Sequence, residues 1–176
     1  MDQKERERKW DGLLFGIRRS IRYHQRRRAF FDRMDQLSNV SALVFGSAAI
    51  YGVLDKDYHA LALLASAAVT AFSSVNLVFG SSQRARAHHD FARSFHDLER
   101  SMLCDPSDDA LRLAESRRLE IEANEPPVLR VLDCMCHNEQ MRAEGYPTND
   151  LAHVRWWQRL LAQFVDVRED LIHAAV

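Results

Sequence analysis

Two long stretches without a formal charge limit what this chain can fold into. Residues 36–54 contain nineteen consecutive uncharged positions, residues 58–83 contain twenty-six more, and only Asp55-Lys56-Asp57 separates them. A helix rises about 1.5 Å per residue, so nineteen residues span roughly 28 Å, close to the hydrocarbon thickness of a bilayer. The sequence therefore predicts an all-α fold built on a two-pass transmembrane helical hairpin, with helical extensions on either side forming a bundle. The expected division is a basic amphipathic helix over 1–36, the hairpin over 37–80 and a helical arm with C-terminal helices over 81–176.

Charge supports this division. Residues 1–36 carry eleven Lys/Arg against six Asp/Glu, and residues 101–176 carry eight against fourteen, so a net charge of −1 conceals a basic front and an acidic back. The charged residues ahead of the first apolar run do not suit a secretory signal. Cys104, Cys134 and Cys136 do not form a disulfide framework, which suits a reducing compartment.

A helical pattern begins near Trp10 and continues toward the first pass. Trp10, Leu13, Leu14, Ile17, Ile21 and His24 form a stripe at three- and four-residue steps. Arginines 18, 19, 22, 26, 27 and 28 occupy the rest of the surface. Arg26, Arg27 and Arg28, with Arg84 and Arg86 after the second pass, are candidates for lipid headgroups, each attracted by about 1 kcal/mol. Nucleic acid is not expected, because no aromatic residues interleave with the arginines. In the first pass Ser38, Ala42 and Gly46 step by four, a small face for helix packing. In the second, Ser66, Thr70, Ser73 and Ser74 are candidates either for helix contact or for the lining of a water-filled path. The positive-inside rule puts both termini in the cytoplasm, since Lys56 alone marks the turn.

After Gly80-Ser81-Ser82 the helix is expected to resume without a break, with Phe91, Phe95, Leu98 and Met102 inward. Pro106 ends it, and a further helix covers about 107–123 with Leu111, Ala114, Arg118 and Ile121 on neighbouring turns. Asn124 is expected to cap the next helix, with Pro126 and Pro127 in its first turn. That helix carries Val128, Val131, Leu132, Met135 and Cys136 inward and stops at Gly145. Pro147-Thr148-Asn149-Asp150 then leads into a last helix, with Val154, Trp157, Leu160, Leu161, Phe164 and Leu171 on its apolar face.

Little in the chain suggests catalysis. Cys134-Met135-Cys136-His137 is not read as a metal site, because residues two apart on a helix point about 200° away from each other. His88, His89 and His96 read as a titratable patch at headgroup level. Glu122, Glu125, Pro126 and Pro127, followed by His137, Asn138 and Glu139, form the polar grouping of greatest interest. They read as braces for a rigid elbow, or as partners of the first helix's arginines, rather than as a catalytic acid and base. No glycine-rich phosphate loop is present, and no metal, cofactor or enzymatic activity is expected.

On these residues the chain resembles the SLATT group, bacterial two-pass proteins associated with nucleotide-sensing conflict systems. The likeness lies in the basic helix 18–28, the hairpin 37–79, the arm through Phe95, the Glu125-Pro126-Pro127 segment and Cys136-His137-Asn138-Glu139. It implies an oligomeric inner-membrane effector that opens or disrupts the membrane once infection is sensed. The trigger would come from a cytoplasmic sensor or nucleotide-signalling partner. A membrane scaffold that docks a cytoplasmic partner, and a soluble helical bundle with 36–79 as its buried hairpin, are the competing expectations.

Overall fold

The computed structural model describes residues 2–54, 58–103, 106–167 and 172, with side chains for all of these except 51–54. Every long element is a helix, and among the described residues there is no strand. Helix α1 runs unbroken over Gln3–Leu54, followed by α2 (His59–Phe79), α3 (Ser81–Ser101), α4 (Asp108–Glu122), α5 (Arg130–Ala143), a short 3₁₀ turn (Thr148–Asp150) and α6 (Trp156–Leu161). The expected turn at 55–57 and Leu171 lie outside the described residues.

The chain forms two compact units, one from Met1–Arg27 with His88–Val176 and one from Arg28–Ala87. Residues 1–27 of the expected first segment and 88–176 of the third thus form one unit, while 28–36 and 81–87 belong with the apolar hairpin stretch.

In the first unit the stripes of α1 and α3 meet as their spacing requires. Trp10, Leu13, Ile17 and Ile21 pack with Phe95, Leu98, Met102, Leu111 and Ala114 in a single core cluster. A second cluster joins Tyr23 to Val131, Leu132, Cys136, Val154 and Ala162. Ser107 caps α4, its hydroxyl accepting from the Ala110 N–H at 3.1 Å. Helix α5 ends as Gly145 predicts. That residue takes φ 84°, the Tyr146 N–H reaches the Met141 carbonyl at 3.0 Å and the Gly145 N–H reaches Arg142 at 3.1 Å, a Schellman arrangement.

Several boundaries differ from expectation. Gly80 adopts a left-handed conformation (φ 56°, ψ 43°) and ends α2 before α3 starts at Ser81, so the helix does not pass through unbroken. A Cβ at Gly80 would strain the backbone, which explains why glycine sits there. Pro126 and Pro127 precede α5 rather than opening it, because each proline holds the residue before it out of the helical region. Val128 is consequently exposed.

The last helix is shorter than its apolar pattern suggests and turns a different face inward. Val154 is buried as expected, but Gln158 and Ala162 join it inside, while Leu160, Leu161 and Phe164 are exposed. Gln158 can occupy the interior because its amide is bonded, accepting from the Arg155 N–H at 3.0 Å and donating to the Val167 carbonyl at 3.3 Å.

Candidate functional site

The first unit is most unusual at the elbow between α4 and α5. After Glu122 the chain leaves the helix through two tight turns, Asn124 N–H to the Ile121 carbonyl and Glu125 N–H to the Glu122 carbonyl, and then runs extended through the prolines. Asn124 does not cap α5; its amide donates back to the Glu120 carbonyl at 2.9 Å. The cap comes from far away. Asp166 accepts from the Arg130 N–H at 2.8 Å and from the Val131 N–H at 3.0 Å, supplying the negative charge that the start of a helix favours. The Leu129 N–H donates to the Tyr23 hydroxyl at 3.0 Å, tying the elbow to α1. Burial raises the Tyr23 phenol above its ordinary value.

Within this elbow lies a buried polar chain. His24 Nε2 lies 3.1 Å from Glu125 Oε1, and His24 Nδ1 lies 2.8 Å from His88 Nδ1. His24 is 1% exposed and His88 5%. The His24 ring stacks between Phe91 and Phe95, with centroids at 5.2 and 5.8 Å, and meets Tyr23 edge-on. With Glu125 ionised, Nε2 of His24 must donate to it. Nδ1 of neutral His24 then accepts from His88. Both nitrogens of His24 are therefore committed, and none remains to activate a hydroxyl such as Ser20, which lines the adjoining cavity of about 580 Å³. The chain locks α1, α3 and the elbow together. His88 is thus buried in protein and does not belong to a patch at headgroup level.

The arginine row of α1 mostly faces the acidic back of the chain. Arg18 pairs with Glu99 at 2.7 Å, Arg19 with Asp133 at 3.2 Å and Arg26 with Glu139. Arg22 donates to Gln140 at 2.8 Å and Arg27 to the Gln163 carbonyl at 2.6 Å. Burial raises the Asp133 carboxyl above its ordinary value although Arg19 pulls the other way. The elbow residues read from the sequence as one grouping divide among several neighbours. Glu125 reaches His24, Glu122 pairs with Arg118 at 2.6 Å, and His137 meets the Phe15 ring edge-on at 5.1 Å. Asn138 exchanges two hydrogen bonds with the Ala152 backbone, at 2.7 and 2.9 Å. Cys136 is buried and its thiol is pushed up to about 12, a poor nucleophile; burial also raises Cys134. Among the described residues no three His, Cys, Asp or Glu side chains converge as a metal site would need.

The second unit has a different chemistry. Ser38 is buried, whereas Ala42 and Gly46 are only partly so, and a Cβ added at Gly46 would meet nothing within 4 Å. The small face therefore packs closely at its Ser38 end only. Phe45 and Phe72 stack with centroids 6.0 Å apart. Ser66, Thr70, Ser73 and Ser74 all point outward. Ser66 donates to the Ala62 carbonyl at 2.8 Å and Thr70 to the Ser66 carbonyl at 3.0 Å, so these two hydroxyls are satisfied by their own helix. Asn76 of α2 donates to Asp35 of α1 at 3.2 Å. Arg84 covers the Phe31 ring, 5.8 Å from its centroid, and Arg86 is exposed.

The sequence reading missed the histidine chain, the Asp166 cap and the Asp35–Asn76 bond. A signal existed for the first of these, since His88 stands one turn before Phe91 and two before Phe95 on the same stripe, as His24 stands one step beyond Ile21.

Fold and surfaces together define an all-helical protein with one helix, among the described residues, long and apolar enough to cross a membrane. Its 18-residue window has a mean hydropathy of 1.8 and is 11% buried. No protein-family model, curated protein sequence or solved structure matches the chain.

Proposed function

We propose that the chain is a two-pass inner-membrane protein, with both termini cytoplasmic, that oligomerises and perturbs or perforates the membrane as an effector of a bacterial conflict system. One observation carries the membrane part of this reading. The apolar side chains of α2 point away from their own unit, with Leu77 84% exposed, Val78 82%, Leu63 71% and Leu64 70%. Water makes such a surface costly, at about 25 cal/mol per Å², and lipid does not. The back-bonded Ser66 and Thr70 fit the same surroundings, since their hydroxyls need no water. The effector role rests on the resemblance to the SLATT group. A cytoplasmic sensor or nucleotide-signalling partner supplies the trigger in this reading.

A second reading, a membrane scaffold that docks a cytoplasmic partner, draws support from α6, where Trp156 (73% exposed) and Leu160 (66%) face outward.

Membrane fractionation with a carbonate wash, followed by a potential-sensitive dye on induced expression, tests both readings. The effector reading expects the chain in the washed membrane pellet and rapid depolarisation, which Thr70→Leu weakens without releasing the protein. Insertion without depolarisation favours the scaffold. Recovery in the aqueous fraction overturns both.

A further inference from the structure

In the first unit Arg18 and Arg19 of α1 meet one carboxylate each, Glu99 and Asp133. Two turns further along the same helix the balance fails. A pocket of about 140 Å³ is lined by Arg26 of α1, Glu139 and Arg142 of α5 and Arg159 of α6, so three guanidinium groups share one carboxylate. Arg26 uses Nη2 on Glu139, and Arg159 uses Nε on the Val154 carbonyl at 3.1 Å. The Arg142 side chain has no ion pair or hydrogen bond among the described residues. A guanidinium carries five N–H donors, so most of those at this pocket are unused. Arg142 and Arg159 are exposed and the Arg26 side chain is 34% exposed, which leaves these donors within reach of a ligand. The surrounding backbone is tied down. The Asn138 amide bonds the Ala152 backbone through both its oxygen and its nitrogen, and Val154 belongs to the second core cluster, so α5 and α6 keep the three arginines together. Like charges gathered in this way repel one another, and an anion among them relieves the repulsion.

We propose that this pocket binds a phosphate dianion, the group presented alike by inorganic phosphate, a soluble phosphate monoester and the headgroup of phosphatidic acid. Planar guanidinium forks match phosphate oxygens two at a time, and arginines not already spent on carboxylates are free to do so. Two negative charges equal the excess left by three guanidinium groups and one carboxylate. The size of the pocket fits a group rather than a whole ligand, since sites for drug-sized molecules start at about 300 Å³. Glu139 lines the same pocket and opposes the anion, while its bond to Arg26 orients that side chain. The inference concerns the first unit alone and is independent of the membrane reading above.

Isothermal titration of the full chain in detergent with inorganic phosphate and with phenyl phosphate, at fixed ionic strength, reads the result. One site per chain is expected. Arg142→Gln and Arg159→Gln are each expected to weaken binding about tenfold, the effect of losing one charge-assisted contact. Glu139→Gln keeps an acceptor for Arg26 but removes the opposing charge, and is expected to tighten binding about threefold. A role confined to the Arg26–Glu139 ion pair predicts the opposite sign, so weakening by Glu139→Gln overturns the proposal. So does the absence of binding by either probe, or equal binding by the unmodified chain and Arg142→Gln. The Arg142 side chain has no bond in the fold to lose, so its result decides even where another variant unfolds. Repeating the phenyl phosphate titration in micelles doped with phosphatidic acid separates the sources of the group. Displacement of the probe assigns the pocket to a lipid headgroup, and unchanged affinity assigns it to a soluble phosphate.

Discussion

The core of the first unit and helix α2 of the second sort their side chains by opposite rules. In the unit built from Met1–Arg27 and His88–Val176, the large apolar groups Ile17, Phe95 and Leu132 are fully buried, and charged groups far apart in sequence pair across helices, as Arg18 does with Glu99. In the unit Arg28–Ala87, the buried residues of α2 are Ala62 and Ala65, while Leu63, Leu64, Leu77 and Val78 face out. The first rule is what water imposes, because apolar area removed from it is the main driving force of folding. The second, small groups inward and large ones outward, suits surroundings as apolar as leucine itself, where close backbone approach rather than hydrophobic burial holds helices together. On the membrane reading, one chain carries both rules because its parts meet two solvents.

The contrast breaks most sharply under truncation of a large apolar side chain. Phe95→Ala, at a residue with no exposure, is expected to cost about 3–5 kcal/mol of bundle stability. Leu77→Ala, at a residue 84% exposed, is expected to cost less than about 0.5 kcal/mol in the same unfolding measurement. The two units would instead follow one rule if Leu77→Ala destabilised the protein as much as Phe95→Ala does.

A smaller effect separates the arginines. Arg26 faces Glu139 within the first unit, with side chains 34% and 30% exposed, so a double-mutant cycle should give a coupling of about 0.5–1 kcal/mol. Arg84→Ala is expected to leave the stability of the Arg26–Glu139 unit unchanged and to reduce binding to anionic vesicles, by about 1 kcal/mol. No measurable coupling in the first case would mean that the basic row serves something other than the fold.

What the sequence made legible was local. Stripes such as Ile17-Ile21 and Phe95-Leu98-Met102 and the Gly145 stop depend on spacings of a few residues, and helical geometry turns those spacings directly into contacts. Illegible were the features that need the fold first. Asp166 caps a helix that starts 36 residues earlier in the chain, and nothing near Arg130 announces it. His24 and His88 meet across 64 residues. The reading of α6 failed for a different reason, the assumption that the largest apolar groups face inward. With only six helical residues, a satisfied Gln158 between Val154 and Ala162 settles the register, and Trp156 and Leu160 turn outward. The arginine row was legible in part: Glu139 was read as a partner for the first helix's arginines and meets Arg26, but that Arg19 would find Asp133 and Arg18 would find Glu99 needed the fold.

The smallest expected effect tests how the first unit responds to acid. His137 is partly buried against Phe15, and burial first, then Arg19, holds its imidazole below the ordinary 6.5, with Asp133 opposing. The unfolded chain therefore takes up a proton at higher pH than the folded one. His137 contributes stability that is fully present above pH 6.5 and is lost as pH falls through the lowered folded value. Asp133 has the opposite sign, since its raised carboxyl favours the folded state at low pH and that stability is lost as pH rises through the raised value. Its window opens at 3.8, so over the upper part of a scan from pH 7.5 down to 5 the histidine dominates the difference. Thermal unfolding in detergent across that range should show the unmodified chain losing about 1 °C more than His137→Gln does. Parallel curves for the two proteins would show that His137 keeps its ordinary affinity for protons in the fold, and that its place beside Phe15 is wetter than the packing implies.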